Sequence, residues 1–250
     1  MTSNLLLNPN NQTINKFGNL HNQTKVDKLI RLSQVYYQGR DDSHGIKHIM
    51  AVFENIKIIL SRMEFDIHNP NILIVVASAL FHDAYDHKYV ENVDDVKHNI
   101  SNDLKSLEFE QDAIIKVFLI IDNLSFSKEK KLRTQGKSIL HEFENYPELL
   151  TTMRNIVSDA DKIEAVSEMA IDRMVQYGHH QDSTWNLKDH VQHIQQHCME
   201  KLFLLVKDKY IRTQIGQKIA TNCINKLREL VEDNNKLTDY VKTCLEKLNK

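Results

Sequence analysis

The sequence contains little glycine and proline, the two residues that most often mark the turns of β proteins. Six glycines and three prolines are spread over 250 residues, and no segment shows the alternation of apolar and polar residues that is typical of strands. Apolar residues instead recur at helical spacing along most of the chain. We therefore predict an all-α protein whose domain is a single helical bundle.

Cysteines and long apolar runs are also scarce. Cys198, Cys223 and Cys244 form no C-x-x-C pair and are odd in number, which argues against a disulfide framework or a zinc knuckle and favours a reducing compartment. The N-terminus lacks the basic start and long apolar stretch of a signal peptide. The longest apolar run, Ile72 to Phe81, is about half of the ~20 residues that cross a bilayer. We expect a cytoplasmic protein without a membrane partner.

The charge pattern excludes one class of partner. The net charge is −2, and Lys and Arg are scattered, so no basic stripe is present that would neutralise the phosphates of a nucleic acid polymer. A small phosphorylated substrate is compatible with this pattern. The oligomeric state is not fixed by the sequence, and a homodimer stays an open alternative.

The chain divides into an extension and a helical domain. Residues 1–24 are polar and aperiodic, which predicts an N-terminal extension, and residues 25–250 form the predicted domain. Loops are predicted at Asn123–Lys137 and Gly178–Asn186. Helices are predicted from Val26, and over Ile49–Leu60, Ile72–Leu80, Val93–Ser106, Gln111–Asp122, Thr152–Tyr177, Lys188–Lys209 and Ile211–Leu248.

The pair His82-Asp83 ends a helix that is otherwise apolar. Both side chains project toward the buried side by helical spacing. A buried carboxylate is costly unless it is paired or binds a cation, and a metal would satisfy the imidazole and the carboxylate together. The alternative is a capped helix end with an ion-paired Asp83 and a hydrogen-bonded His82, and the pair taken alone favours that interpretation.

A second candidate pair, His44 and His48, lies at the predicted start of the preceding helix. The four-residue spacing allows both imidazoles to share one helix face, so either could ligate a metal. No Glu follows His44, as the zinc-protease motif would require. Taken alone, such a pair is more typical of surface or cap positions.

The third candidate element contains two aspartates, Asp159 and Asp161. Asp159 shares a helix face with Ile163, whereas Asp161 shares one with Val157 and Ala165. Periodicity therefore leaves open which carboxylate points inward.

Taken together, in this order and separation, these segments resemble the HD superfamily of metal-dependent phosphohydrolases, whose pattern is a His, then His-Asp, then a distant Asp. The segments that carry the resemblance are His48-Ile49-Met50-Ala51-Val52, Ala79-Leu80-Phe81-His82-Asp83 and Ala160-Asp161-Lys162-Ile163. The resemblance implies that His48, His82, Asp83 and Asp161 ligate a metal, and it alone favours Asp161 over Asp159.

The similarity is greatest to small bacterial-type HD hydrolases, some of which are nucleotide pyrophosphohydrolases, and it covers about Val35 to Ala220. Gly45 stands where this subgroup often has Asp, and Ile163-Glu164 where it often has Leu-Asp. The matching fragments are Ser43-His44-Gly45, His82-Asp83-Ala84-Tyr85-Asp86-His87-Lys88, Leu124-Ser125-Phe126 and His197-Cys198-Met199-Glu200-Lys201-Leu202.

The resemblance implies an enzyme in which a water activated by a divalent metal ion attacks a phosphate ester or anhydride, most simply of a nucleotide. Two imidazoles and two carboxylates suit Mn, Mg, Fe or Co and leave coordination positions open. In this interpretation Asp86 and Lys88 are catalytic, and His44, Lys162 and His197 bind substrate. The alternatives are a phosphomonoesterase or phosphodiesterase on the same site, or a non-catalytic binding module that retains the metal.

A further group of histidines, His190, His193 and His197, falls on one face of a predicted helix. A second metal site is one interpretation of this group. Amphipathic surface helices produce the same pattern readily, and we favour that alternative.

Overall fold

The computed structural model describes residues 20–40, 44–63, 69–167, 169–181 and 184–248. Within these ranges the chain forms helices and no strand, which confirms the predicted all-α fold. None of the described helices is long and apolar enough to cross a membrane. The α-helices are α1 Leu20–Val35, α2 Ile46–Arg62, α3 Ile72–Phe81, α4 Val93–Ser106, α5 Gln111–Ile121, α6 Phe126–Thr134, α7 Glu148–Ala165, α8 Ala170–Gln181, α9 Leu187–His197, α10 Leu204–Lys207, α11 Gln214–Val231 and α12 Asn234–Leu248.

The centre of the fold is α3. All ten of its residues are buried, because α1, α2, α5 and α7 pack around it. A helix that is apolar on every side is stable only when it is surrounded in this way. The position of α3 therefore explains the longest apolar run, and it places His82 and Asp83, which directly follow the helix, next to α2 and α7.

The loop that we predicted at Asn123–Lys137 is wrong, because α6 occupies most of it. The helix is largely polar, so it carries no apolar stripe that periodicity could detect. It is held by a cap, since the Ser125 hydroxyl accepts a hydrogen bond from the Lys128 amide. Glu129 anchors it to the core, where this side chain is fully buried among arginines.

The second predicted loop, Gly178–Asn186, begins too early, because α8 continues to Gln181. The glycine at position 178 favoured the prediction that the helix ends there. In the structure Gly178 lies inside α8 and allows close packing, because a Cβ atom at this position would lie 2.7 Å from the Trp185 ring. Residues 182–183 of this predicted loop lie outside the described residues.

The predicted helices also differ in length from the observed ones. The predicted helix Thr152–Tyr177 is two helices, α7 and α8, separated after Ala165, and the predicted helix Ile211–Leu248 is α11 and α12. The predicted helix Lys188–Lys209 contains α9, a π-helical turn at Cys198–Leu202 and α10. Helix α1 begins at Leu20, inside the predicted extension, whose residues 1–19 lie outside the described ranges.

Candidate metal centre and cavity

Three separate segments bring four side chains to one point. His48 lies in the first turn of α2, His82 and Asp83 follow α3, and Asp161 lies in α7. The Nε2 atoms of His48 and His82 are 3.2 Å apart. His48 Nε2 is 3.6 Å from Asp83 Oδ2 and 3.6 Å from Asp161 Oδ1, and the corresponding distances from His82 Nε2 are 3.5 and 3.8 Å. His48, His82 and Asp83 form a cluster that could hold a metal ion.

The outer nitrogen of each imidazole is held by a group that can only accept a hydrogen bond. His48 Nδ1 lies 3.0 Å from Glu164 Oε2, and His82 Nδ1 lies 2.8 Å from the Ala79 carbonyl oxygen. Each Nδ1 therefore carries the proton, and in the neutral rings both Nε2 lone pairs face each other. Two facing lone pairs repel, as do the two nearby carboxylates, so this arrangement favours a cation at its centre.

Nearby opposite charges favour the ionised forms of both His48 and Asp161. Burial opposes protonation of His48, but Glu164, Asp161 and Asp83 together raise its pKa above the usual value. Burial likewise opposes ionisation of Asp161, whereas His82, His48 and Lys162 lower its pKa overall. Each of the carboxyl groups of Asp83, Asp161 and Glu164 lies within 4 Å of a His48 ring nitrogen, at 3.6, 3.6 and 3.0 Å.

Two arginines contact groups next to the cluster. Arg173 donates from Nη1 to the Glu164 carboxylate and from Nη2 to the Glu164 carbonyl oxygen at 2.7 Å. Arg40 donates to the carbonyl oxygens of Asp83 and Ala84, each at 2.6 Å. Arg173 thus holds Glu164, the hydrogen-bond partner of His48, and Arg40 holds the segment that carries Asp83. Neither was predicted from the sequence, because no local motif includes them.

Asp159 serves the fold. It is fully buried, and its carboxylate accepts hydrogen bonds from the backbone amides of Arg212 at 2.9 Å and of Thr213 at 2.6 Å. These contacts tie α7 to the start of α11. Of the two aspartates that periodicity left open, Asp161 is therefore the one beside the histidines.

A cavity of about 500 Å³ opens beside the cluster. Its wall contains Asp83 and Asp161 together with four cationic side chains, Lys88, Lys162, Arg173 and Lys201. Lys162 is buried and donates to the Ser158 hydroxyl at 2.6 Å and to the Leu124 carbonyl oxygen at 3.2 Å. Burial lowers the pKa of Lys162 to about 8.

The ammonium groups of Lys88 and Lys201 have no hydrogen-bonded carboxylate in the part of the chain that the structure describes. Burial lowers the pKa of Lys201, Asp161 raises it, and the like charges of Lys88 and Arg173 lower it further. Lys201 lies in the fragment His197 to Leu202 that carries part of the family resemblance, but it was not predicted as a site residue. Among the described residues, the cavity thus offers two cationic side chains next to the cluster that donate to no carboxylate.

The other predicted site residues are distributed as follows. His44 lines the cavity and its Nδ1 lies 3.1 Å from the Tyr89 hydroxyl. His197 also lines the cavity, as do Tyr177 and His193, which were not predicted to belong to the site.

Asp86 is not among the lining residues: its Oδ1 accepts from the Lys88 amide at 3.0 Å and lies 3.3 Å from His87 Nδ1.

Comparison with known proteins supports the fold. No protein-family model and no curated protein matches the sequence. Among solved structures, a Lactobacillus plantarum protein has 20% sequence identity and a TM-score of 0.60 over 84% of this chain and 94% of its own. Bacillus subtilis YpgQ in complex with ADP has 17% identity and a TM-score of 0.55 over 91% of this chain and 96% of its own. The Lin1889 protein of Listeria innocua has 20% identity and a TM-score of 0.57 over 86% and 97%.

Proposed function

We propose that this chain is a metal-dependent phosphohydrolase of the HD superfamily whose metal ligands are His48, His82, Asp83 and Asp161. The observation that carries the proposal is the pair of imidazole Nε2 atoms that face each other at 3.2 Å. The Nδ1 atom of each ring donates a hydrogen bond to an oxygen on its other side, so both Nε2 atoms are available to bind a metal. Imidazole and carboxylate donors together suit a divalent ion of the Mn, Mg, Fe or Co type.

The chain's own residues prepare the site for a phosphate. Glu164 and the Ala79 carbonyl oxygen orient the two imidazoles, while Lys88 and Lys201 place positive charge at the cavity wall. An ammonium group can bind phosphate oxygens as a point charge. A divalent ion held by the four ligands supplies Lewis acidity, which lowers the pKa of water and offsets charge on the phosphoryl oxygens.

The proposed substrate class is a nucleotide. A cavity of about 500 Å³ lies within the ~300–1,000 Å³ that is usual for small-molecule sites. Bacillus subtilis YpgQ, which has the same fold, was crystallised in complex with ADP. Lys88 and Lys201, two cations that donate to no carboxylate of the described residues, suit a substrate with more than one phosphate group better than a monoester.

The proposal is tested by metal analysis combined with a hydrolysis panel. The panel contains nucleoside triphosphates, inorganic tripolyphosphate, an aryl phosphate monoester and an aryl phosphate diester, each with Mn²⁺. We expect about one metal ion per chain and hydrolysis of the nucleotides. His82→Ala and Asp83→Ala should lose both properties, because each removes one of four ligands. The matched control is His141→Ala, which replaces an exposed histidine far from the cluster in sequence.

Two results would overturn the proposal in different ways. Equal metal content in the wild type and both ligand variants would show that His82 and Asp83 do not bind the metal. Full metal occupancy without hydrolysis of any compound in the panel would leave the non-catalytic binding module as the better account. Preference for the monoester or the diester would instead favour the alternative phosphatase or phosphodiesterase.

A further inference from the structure

The cavity contains a row of rings that the proposed chemistry does not use. Tyr177 in α8 stacks with His193 in α9, with ring centroids 6.3 Å apart and planes inclined by 22°. His193 and His197 follow at 6.0 Å and 32°. All three rings line the cavity. Tyr177 keeps 49% of its surface exposed, which is high for a large side chain at a concave site.

Trp185 supports the middle ring of the row. Trp185 packs against His193 with a centroid distance of 5.1 Å and lies so close to Gly178 that a Cβ atom there would be 2.7 Å from its ring. Because the rings are positioned before any ligand binds, binding of a planar group would cost little side-chain conformational entropy.

The imidazoles of this row are uncharged at neutral pH. Burial lowers the pKa of His193, and burial together with Lys201 and His193 lowers that of His197 to about 4. Neutral imidazoles do not compete with Lys88 and Lys201 for phosphate. Their flat faces, like that of Tyr177, suit a planar ring.

The row leads toward the metal cluster. His193, His197 and Lys201 follow one another at four-residue spacing, so they lie on one face of the α9 helix and its π-helical continuation. Lys201 interacts electrostatically with Asp161. At ~1.5 Å per residue, His193 and Lys201 are ~12 Å apart along the helix. A nucleoside with a phosphate chain can span such a distance.

We propose that Tyr177, His193 and His197 form a platform that binds the nucleobase of the substrate, while its phosphates bind at Lys201 and the proposed metal ligands. The assignment rests on the proposed function for the phosphate end of the substrate. The platform would make the site selective for nucleotides over phosphate compounds that lack a ring.

The test compares two ligands that share a phosphate mimic and differ in the ring. We would titrate the metal-loaded protein with α,β-methylene-ADP and with methylenediphosphonate, whose P–C–P bridge resists hydrolysis. Tyr177→Leu should weaken binding of α,β-methylene-ADP ~5- to 100-fold, the range found for base–aromatic stacking. Binding of methylenediphosphonate should stay unchanged. Tyr177→Phe should bind both ligands like the wild type, because it keeps the ring.

The control variant is Tyr146→Leu, which removes an exposed tyrosine that does not line the cavity and should change neither affinity. Equal binding of both ligands by the wild type, or equal losses for both in Tyr177→Leu, would overturn the platform. Failure of the proposed function gives a different result. A wild type that hydrolyses nothing but shows the ring-dependent difference would keep the platform and reject the phosphohydrolase.

Discussion

At the scale of single residues, Asp159 and Asp161 lie two positions apart in α7 and have different environments. Asp159 is fully buried and bonded to two backbone amides of the segment that begins α11. Asp161 is 31% exposed and faces the two imidazoles. One aspartate therefore contributes to folding and the other to the site.

Replacing each aspartate by asparagine should separate these roles. Asp159→Asn places an amide donor against two backbone donors, which should lower the free energy of unfolding by ~1–3 kcal/mol. Asp161→Asn should weaken Mn²⁺ binding at least ~tenfold and leave the metal-free protein about as stable as the wild type. Urea denaturation in EDTA and calorimetric Mn²⁺ titration measure the two effects. If Asp159→Asn weakened Mn²⁺ binding and Asp161→Asn lowered the stability instead, the family resemblance would have assigned the ligand to the wrong aspartate.

Asp86 was predicted to be catalytic, and its geometry suggests a different use. Its carboxylate accepts from the amide of Lys88 two residues later, an arrangement that stabilises a turn. It is not among the residues that line the cavity. We infer that Asp86 positions the turn that carries Lys88.

Two variants distinguish the roles of Asp86. Asp86→Asn keeps an oxygen acceptor for the Lys88 amide, so it should retain most of the activity, whereas Asp86→Ala should raise KM because Lys88 is less well placed. A general acid or base would instead lose ~10²- to 10⁴-fold in kcat in both variants. Steady-state kinetics with a nucleoside triphosphate at saturating Mn²⁺ decide between the two. A loss of that size in Asp86→Asn would restore the catalytic assignment.

At the scale of elements, one buried carboxylate joins three helical segments. Glu129 in α6 is fully buried and forms ion pairs with Arg133, with Arg154 of α7 and with Arg212, which lies two residues before α11. Arg154 also donates to the Asn123 carbonyl oxygen at 2.7 Å. Because Arg154 belongs to α7, the helix that carries Asp161, the network ties α7 to α6 and to the segment before α11.

Removing the charge of Glu129 should destabilise the whole domain. Glu129→Gln leaves Arg154 buried without its carboxylate, which typically costs ~3–5 kcal/mol. The control Glu232→Gln breaks an exposed pair with Arg228 and should cost under ~1 kcal/mol. Denaturant unfolding of the three proteins at pH 7 measures this, and equal stabilities would show that the network contributes nothing.

The difference should also depend on pH. Burial opposes ionisation of Glu129, but Arg212 and Arg154 lower its pKa below the usual value. A lowered carboxyl pKa stabilises the folded state above the unfolded pKa of ~4.3, and this contribution is lost as the pH falls through the lower folded value. The difference in the free energy of unfolding between wild type and Glu129→Gln should therefore be largest near neutral pH and should decrease only in strong acid.

At the scale of the whole molecule, the sequence determined the helical class, the apolar run of α3 and the residue types of the candidate metal cluster, because these depend on local periodicity and on short motifs. Tertiary structure decided the rest. Periodicity left Asp159 and Asp161 equivalent and only the family resemblance favoured Asp161, whereas the bonds of Asp159 to Arg212 and Thr213, more than fifty residues away, give the two aspartates different roles. The polar helix α6 exists because Glu129 meets distant arginines, and the ring row exists because α8 and α9 pack face to face. Periodicity reports the face on which a side chain lies, whereas its partner is set by the packing of elements far apart in sequence.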